Sequence, residues 1–143
     1  MDILNKIYDI AFREIGIKEI KGNEHNARIL EYHKATSLGA GTDEIAWCSS
    51  FINWCVKQAG LKGTNSAAAR SWIKWGKEIE TPVKGCIVVL RRGNNPTQGH
   101  VGLYLCEESG TNKIRLLGGN QSDCVNIQFY NKSDVLSYRV PNE

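Results

Sequence analysis

At Pro82 the apolar residues of this chain change their spacing, and that change decides the fold class. Upstream, Ile3, Leu4, Ile7, Tyr8, Ile10 and Ala11 recur every three or four positions and predict an amphipathic helix from Ile3 to Ile15, with Asp2 as N-cap and Gly16 as stop. A second helix is expected from about Glu24 to Lys34, carried by Ala27, Ile29, Leu30 and Tyr32, before a small and polar loop from Ala35 to Thr42. Phe51, Trp54, Cys55 and Ala59 predict a third helix that Gly60 ends, with Asp43 and Glu44 just before it and Cys48 in or near its first turn. A short fourth helix is expected from about Ser66 to Trp75, closed by Gly76. Downstream of Pro82, Cys86–Leu90, His100–Cys106, Lys113–Leu117, Val125–Tyr130 and Val135–Val140 read as strands separated by Gly, Asn, Asp and Pro. Helices first and strands afterwards, without β-α-β alternation, predict an α+β fold. The N-terminal helices pack on one side of a small, mostly antiparallel sheet of about five strands.

With 143 residues, the chain is expected to be a single domain, 1–143, large enough for one core. No apolar run approaches the roughly 18–20 residues needed to cross a bilayer, so membrane insertion is not expected. Charges interrupt Met1–Lys6, which argues against a signal peptide; work outside a cytoplasm would need another route of delivery. Eighteen basic and fifteen acidic residues leave a net charge of +3, far short of the dense basic footprint of a nucleic-acid binder. Five cysteines, an odd number without a C-x-x-C pair, are expected as reduced thiols. Together with His100 they follow no structural-zinc spacing, so neither a metal nor a cofactor is expected.

Cys48 is the first candidate for chemistry, because the N-terminal turn of a helix favours a thiolate through its dipole and its unpaired N–H groups. The alternative reading of such a cysteine is a buried structural thiol, which suits Cys55, two turns further on. His100 opens a strand directly after the Asn94–Gly99 loop, and Gly99 and Gly102 on either side let a backbone or substrate approach closely. A thiol at a helix start and an imidazole at a strand start are the pair that thiol acyl transfer needs: one attacks, the other shuttles the proton. His25 and His33 fall on a polar helix face and are expected to be solvated. A third group must hold the imidazole in the right tautomer, and Asn120 in Leu117-Gly118-Gly119-Asn120-Gln121-Ser122 is the candidate, with a local turn role as its alternative. Trp72 and Trp75, three apart, read as core rather than as a sugar platform.

Three stretches, Asp43-Glu44-Ile45-Ala46-Trp47-Cys48-Ser49-Ser50-Phe51-Ile52-Asn53-Trp54, Gly99-His100-Val101-Gly102-Leu103-Tyr104 and Gly118-Gly119-Asn120-Gln121-Ser122, together resemble the CHAP group of the NlpC/P60-type papain-like cysteine peptidases, most closely its compact, phage endolysin-like branch. The resemblance implies a papain-like fold and cleavage of peptidoglycan, either between N-acetylmuramic acid and L-alanine or within the stem or cross-bridge peptide. It also implies Cys48 as nucleophile, His100 as general base and then acid, and Asn120 as the orienting group. Glu44 matches an acidic position before the W-C pair, although a carboxylate there serves a helix N-terminus equally well and works against a nearby thiolate. Where some relatives carry an acidic residue two positions before the amide, this chain has Gly118. Trp47, Arg91 and Gln121 are the candidate substrate contacts. Of these, Arg91, with Arg92, could hold stem-peptide carboxylates, or both could be solvated loop charges. The expected partner is bacterial peptidoglycan, met by a monomer made in a bacterial cytoplasm and released through a pore. An injected antibacterial amidase and a catalytically idle wall-binding module are the alternatives.

Overall fold

The computed structural model describes residues 3–18, 26–36, 47–94, 96 and 98–142. Its helices are α1 (Ile3–Phe12), α2 (Ala27–His33) and α3 (Cys48–Gln58). The strands are β1 (Lys77–Ile79), β2 (Ile87–Arg91), β3 (Gly99–Glu108), β4 (Lys113–Gln121), β5 (Cys124–Asn131) and β6 (Val135–Val140). They form one antiparallel sheet in the order β1-β6-β2-β3-β4-β5. The α+β class, with helices preceding strands, is the one expected. The sixth strand is the short β1, a three-residue edge whose Lys-Glu-Ile sequence is too brief to show a period.

The helices cover one face of the sheet. Phe51, Ile52, Cys55 and Val56 of α3 pack with Ile7 and Ala11 of α1, Ile29 and Tyr32 of α2, and the odd-numbered sheet residues Ile87, Val89, Val101, Leu103, Leu117 and Val125. Each fully buried aliphatic or aromatic side chain of this set contributes about 1.5–3 kcal/mol. The even-numbered residues Val88, Leu90, Tyr104, Ile114 and Leu116 bury a second cluster with Cys86, and among the described residues no helical one belongs to it. Ile79 from one edge strand and Tyr130 from the other both pack against it. Among the described residues no helix is long and apolar enough to cross a membrane.

α3 is buried along nearly its whole length because it lies between the sheet and the other two helices. Its end is a Schellman arrangement. Leu61 N–H donates to Val56 O at 3.0 Å and Gly60 N–H to Lys57 O at 3.0 Å, with Gly60 at φ +91°. Ser49 and Asn53, on one stripe of α3, hold the following loop: Ser49 Oγ donates to Ser66 O at 2.7 Å, and Asn53 Nδ2 donates to the same carbonyl at 3.1 Å. These bonds explain why the expected fourth helix is only a 3-10 turn, Ala69–Lys74. The Ser66 carbonyl that would accept the first helical hydrogen bond is already taken, and Ala68 is extended (ψ 124°). Trp72 is wholly buried, its Nε1 donating to Ser49 Oγ at 2.9 Å. His33, expected in solvent, is instead fully buried, its Nδ1 hydrogen-bonded to Ser50 Oγ at 2.8 Å, because α3 covers that side of α2. His25 lies outside the described residues, as do Asp2 and the Asp43–Glu44 pair.

Candidate active site

Cys48 is the first residue of α3 and is almost completely buried. Trp47 occupies the N-cap position, and no side chain caps the helix there. Among the described residues no side chain therefore supplies the usual capping acceptor to the first-turn N–H groups. Trp47 was expected among the substrate contacts, and the structure gives it other work. Its indole is fully buried and stacked on Tyr32 at 5.8 Å, and it fills the space where a Cβ on Gly119 would come within 2.6 Å. An indole flanked by helix and sheet on both sides is core, and it ties the start of α3 to β4.

β3 keeps β2 as a neighbour from its first residue, Leu90 standing opposite His100. Its described pairing with β4 begins only at Leu103 and Leu117, so the opening of β3 has an edge that β4 does not cover. Cys48 meets the strand at this edge, against His100 and the backbone of Val101. His100 itself is buried. Its Nε2 lies 2.9 Å from Gln121 Oε1. The orientation of that carboxamide is fixed, because Gln121 Nε2 donates to Asn126 O at 2.9 Å and to Leu116 O at 3.3 Å, both of which can only accept. The oxygen therefore faces the ring, Nε2 carries the proton, and in the neutral imidazole Nδ1 is left with a lone pair. Nδ1 is buried and makes no ordinary hydrogen bond. It is the ring nitrogen available to take a thiol proton.

Gln121, expected to touch substrate, is thus the ring's partner, and Asn120 makes no hydrogen bond to it. A β-bulge is the cause. Gly118 pairs with Asn126 and Gln121 with Cys124, so Gly119 and Asn120 together oppose the single residue Val125. In a regular strand Asn120 would share the face of Gly118; the extra residue hands that face to Gln121. Asn120 absorbs the bend with φ +58°. The glycine at 118 is needed here, since a Cβ would stand 2.7 Å from Gln121 Oε1.

Two further groups act on the site: Tyr130, which sequence reasoning did not single out, and Arg92, which it named only beside Arg91 as a carboxylate contact. Tyr130 of β5 stacks on the His100 ring, centroids 5.1 Å apart and planes 23° apart, with its hydroxyl 3.2 Å from Nε2. Its position, on the face of β5 shared with Asn126, was available in the strand period, but nothing in the sequence linked β5 to β3 across β4. Arg92 is the second. Its charge acts on both Cys48 and Tyr130, whereas Arg91, the expected carboxylate contact, is paired with Asp134 at 3.0 Å. Among the described residues Arg92 has no ion-pair partner. Glu44 lies outside the described residues.

The balance of forces on the sulfur follows. Burial is the largest effect and raises the Cys48 pKa, but the His100 ring, the Val101 N–H and the Arg92 charge together outweigh it, and the thiol ends below its ordinary range. Cys55 shows burial without such help and is pushed well up; at Cys86 burial outweighs backbone hydrogen bonds and raises the thiol to about 11. Burial likewise raises Tyr130, and the neighbouring sulfur adds to it, so the phenol stays protonated. All five cysteines are free. Among the described residues no three His, Cys, Asp or Glu side chains converge as a metal site would require.

The family model described as the CHAP domain matches residues 40–120, more than half of the chain; the match takes in Cys48 and His100 and ends one residue before Gln121. The chain belongs to the CHAP domain family. No curated protein matches its sequence. Among solved structures, this CHAP domain is similar to a Staphylococcus aureus Mu50 protein described as similar to lipoprotein, of the NLP/P60 family. The match has 19% identity and a TM-score of 0.55 over 100% of this chain, which spans 43% of that protein. It is also similar to RipD of Mycobacterium tuberculosis, described as a non-catalytic NlpC/p60 domain protein adapted to peptidoglycan binding. That match has 17% identity and a TM-score of 0.56, covering 96% of this chain and 95% of RipD. At these identities the likeness is one of fold, and it is the NlpC/P60 papain-like fold.

Proposed function

We propose that this CHAP domain hydrolyses an amide bond of peptidoglycan through a thioester on Cys48. CHAP is a family of peptidoglycan-associated hydrolases. The observation that carries the catalytic reading is the orientation of His100: with Nε2 held by Gln121 Oε1, Nδ1 is the base beside a thiol already lowered in pKa. Nδ1 takes the thiol proton, and the sulfur attacks the amide carbon. The developing oxyanion meets the uncapped N–H groups of the α3 first turn, that of Cys48 foremost. The imidazolium then protonates the leaving nitrogen as the C–N bond breaks. Water next attacks the thioester, its proton passes to Nδ1, and the C–S bond breaks to return the thiol. The bond cleaved is the N-acetylmuramoyl-L-alanine amide or a peptide bond of the stem or cross-bridge. The setting that suits the chain is that of a phage endolysin working as a monomer, released to the wall through a pore; injection into a rival cell is the other route.

The description of RipD favours a second reading, in which the domain only holds the wall. Binding alone requires neither a lowered thiol nor a ring fixed in one tautomer. Turbidity of purified cell walls decides between them. Wild type is expected to clear the suspension and Cys48→Ala to leave it turbid while still sedimenting with the walls; equal clearing by both, or by neither, refutes the enzymatic reading. Mass spectrometry of the released fragments then names the bond.

A further inference from the structure

The contact between Tyr130 and His100 joins β5 to β3 across the width of β4. The two rings lie nearly parallel at 5.1 Å, within the range where a cation is stabilised by an aromatic face, and the hydroxyl reaches to 3.2 Å from Nε2. Tyr130 is half-buried and packs against the even-face cluster of Cys86, Val88, Leu90, Tyr104, Ile114 and Leu116. We propose that Tyr130 is a positioning residue of the site, whose ring face stabilises the His100 imidazolium and thereby the ion pair with Cys48. The ring's negative face gains more from a charged imidazole than from a neutral one, so its net effect favours the charged state. Gln121 selects the tautomer; Tyr130 acts on the charge. The titratable and charged groups facing the ring among the described residues are Cys48 from α3, Tyr130 from β5 and Arg92 beyond β2; Gln121 from β4 is neutral.

The proposal rests on reading Cys48 and His100 as a thiolate–imidazolium pair, but not on any substrate. Its test is therefore the pH dependence of Cys48 alkylation by iodoacetamide in the full chain, resolved from the other four cysteines by peptide mass spectrometry. Tyr130→Phe keeps the ring and is expected to leave the midpoint within a few tenths of a unit of wild type. Tyr130→Leu is expected to raise it by about 0.5–1 pH unit. Replacement of Tyr130 by pentafluorophenylalanine, which keeps the shape and reverses the ring's polarity, is expected to raise it as well, and it serves if the leucine variant fails to fold. A folded leucine or fluorinated variant with the wild-type midpoint overturns the proposal, as does a phenylalanine variant that shifts as far as either. A wild-type midpoint at the ordinary thiol value, about 8.5, would instead overturn the ion pair itself, and with it the enzymatic reading.

Discussion

Gln121 Oε1 stands 2.9 Å from His100 Nε2 because the side chain at position 118 is a hydrogen. The relationship turns a missing residue into a positive feature. At position 118 the strand has an empty site into which a carboxamide from beyond the bulge reaches.

Gln121→Ala is expected to lower kcat by about 100-fold, the scale of a misoriented catalytic group. Gly118→Ala should reproduce much of that loss, because its Cβ falls 2.7 Å from Gln121 Oε1 and pushes the carboxamide off the ring. The double variant should be little worse than either alone, since the two changes remove the same contact. Wall-clearing rates of the four proteins check this, and simple multiplication of the two losses would refute it.

For the ionisation of Cys48, the signs can be worked through. The thiolate is favoured against burial mainly by the His100 ring, so its pKa lies below the ordinary range, and activity should be lost as pH falls through that lowered value. In His100→Ala the burial effect is left opposed only by the Val101 N–H and Arg92. The alkylation midpoint of Cys48 is then expected to move above that of an ordinary thiol rather than merely up to it. Peptide-resolved alkylation from pH 5 to about 10 reads the difference.

Arg92 and Arg91 should behave differently despite being neighbours. Arg92→Gln is expected to raise the Cys48 midpoint by a few tenths of a unit at low salt and by almost nothing at about 1 M salt, where the screening length is about 3 Å. Arg91→Gln breaks an exposed pair with Asp134 and should leave the midpoint unchanged, with a stability loss of about 1 kcal/mol or less.

Gly119→Ala tests the joint between α3 and β4. The added Cβ meets Trp47 at 2.6 and 2.8 Å and Phe51 Cβ at 2.9 Å, none of which is the far end of a flexible chain. A loss of about 1–3 kcal/mol is expected, read as a fall in Tm, and Trp47→Leu in the same chain should recover part of it.

How much of this was legible in the sequence depends on the range of the interaction. The α3 stripe and the strand segments along the chain are local patterns, and they were readable, as were a thiol at a helix start and an imidazole at a strand start taken singly. Gln121 was not, because a bulge leaves no period behind: two residues in one pleat shift the alternation by one, and the amide one place along inherits the face. The bulge is recognisable only afterwards, in the Gly118-Gly119 pair that makes room for it. His33 failed for a related reason. Its face is polar in sequence, yet Ser50 of another helix supplies the hydrogen bond that lets it be buried. Tyr130 and Arg92 depend on which strands lie side by side, and the sheet order β2-β3-β4-β5 was not written in any one segment.

The indole of Trp47 sits beneath Gly119, and it has Cys48 as its chain neighbour on one side and the bulge that aims Gln121 on the other. The sulfur and the carboxamide that orients the imidazole are therefore tied to one indole sunk in the interior, not to surface loops able to drift apart separately. Warming the molecule should leave hydrolysis intact until the interior itself gives way, with inactivation and collapse of the whole fold arriving at one temperature.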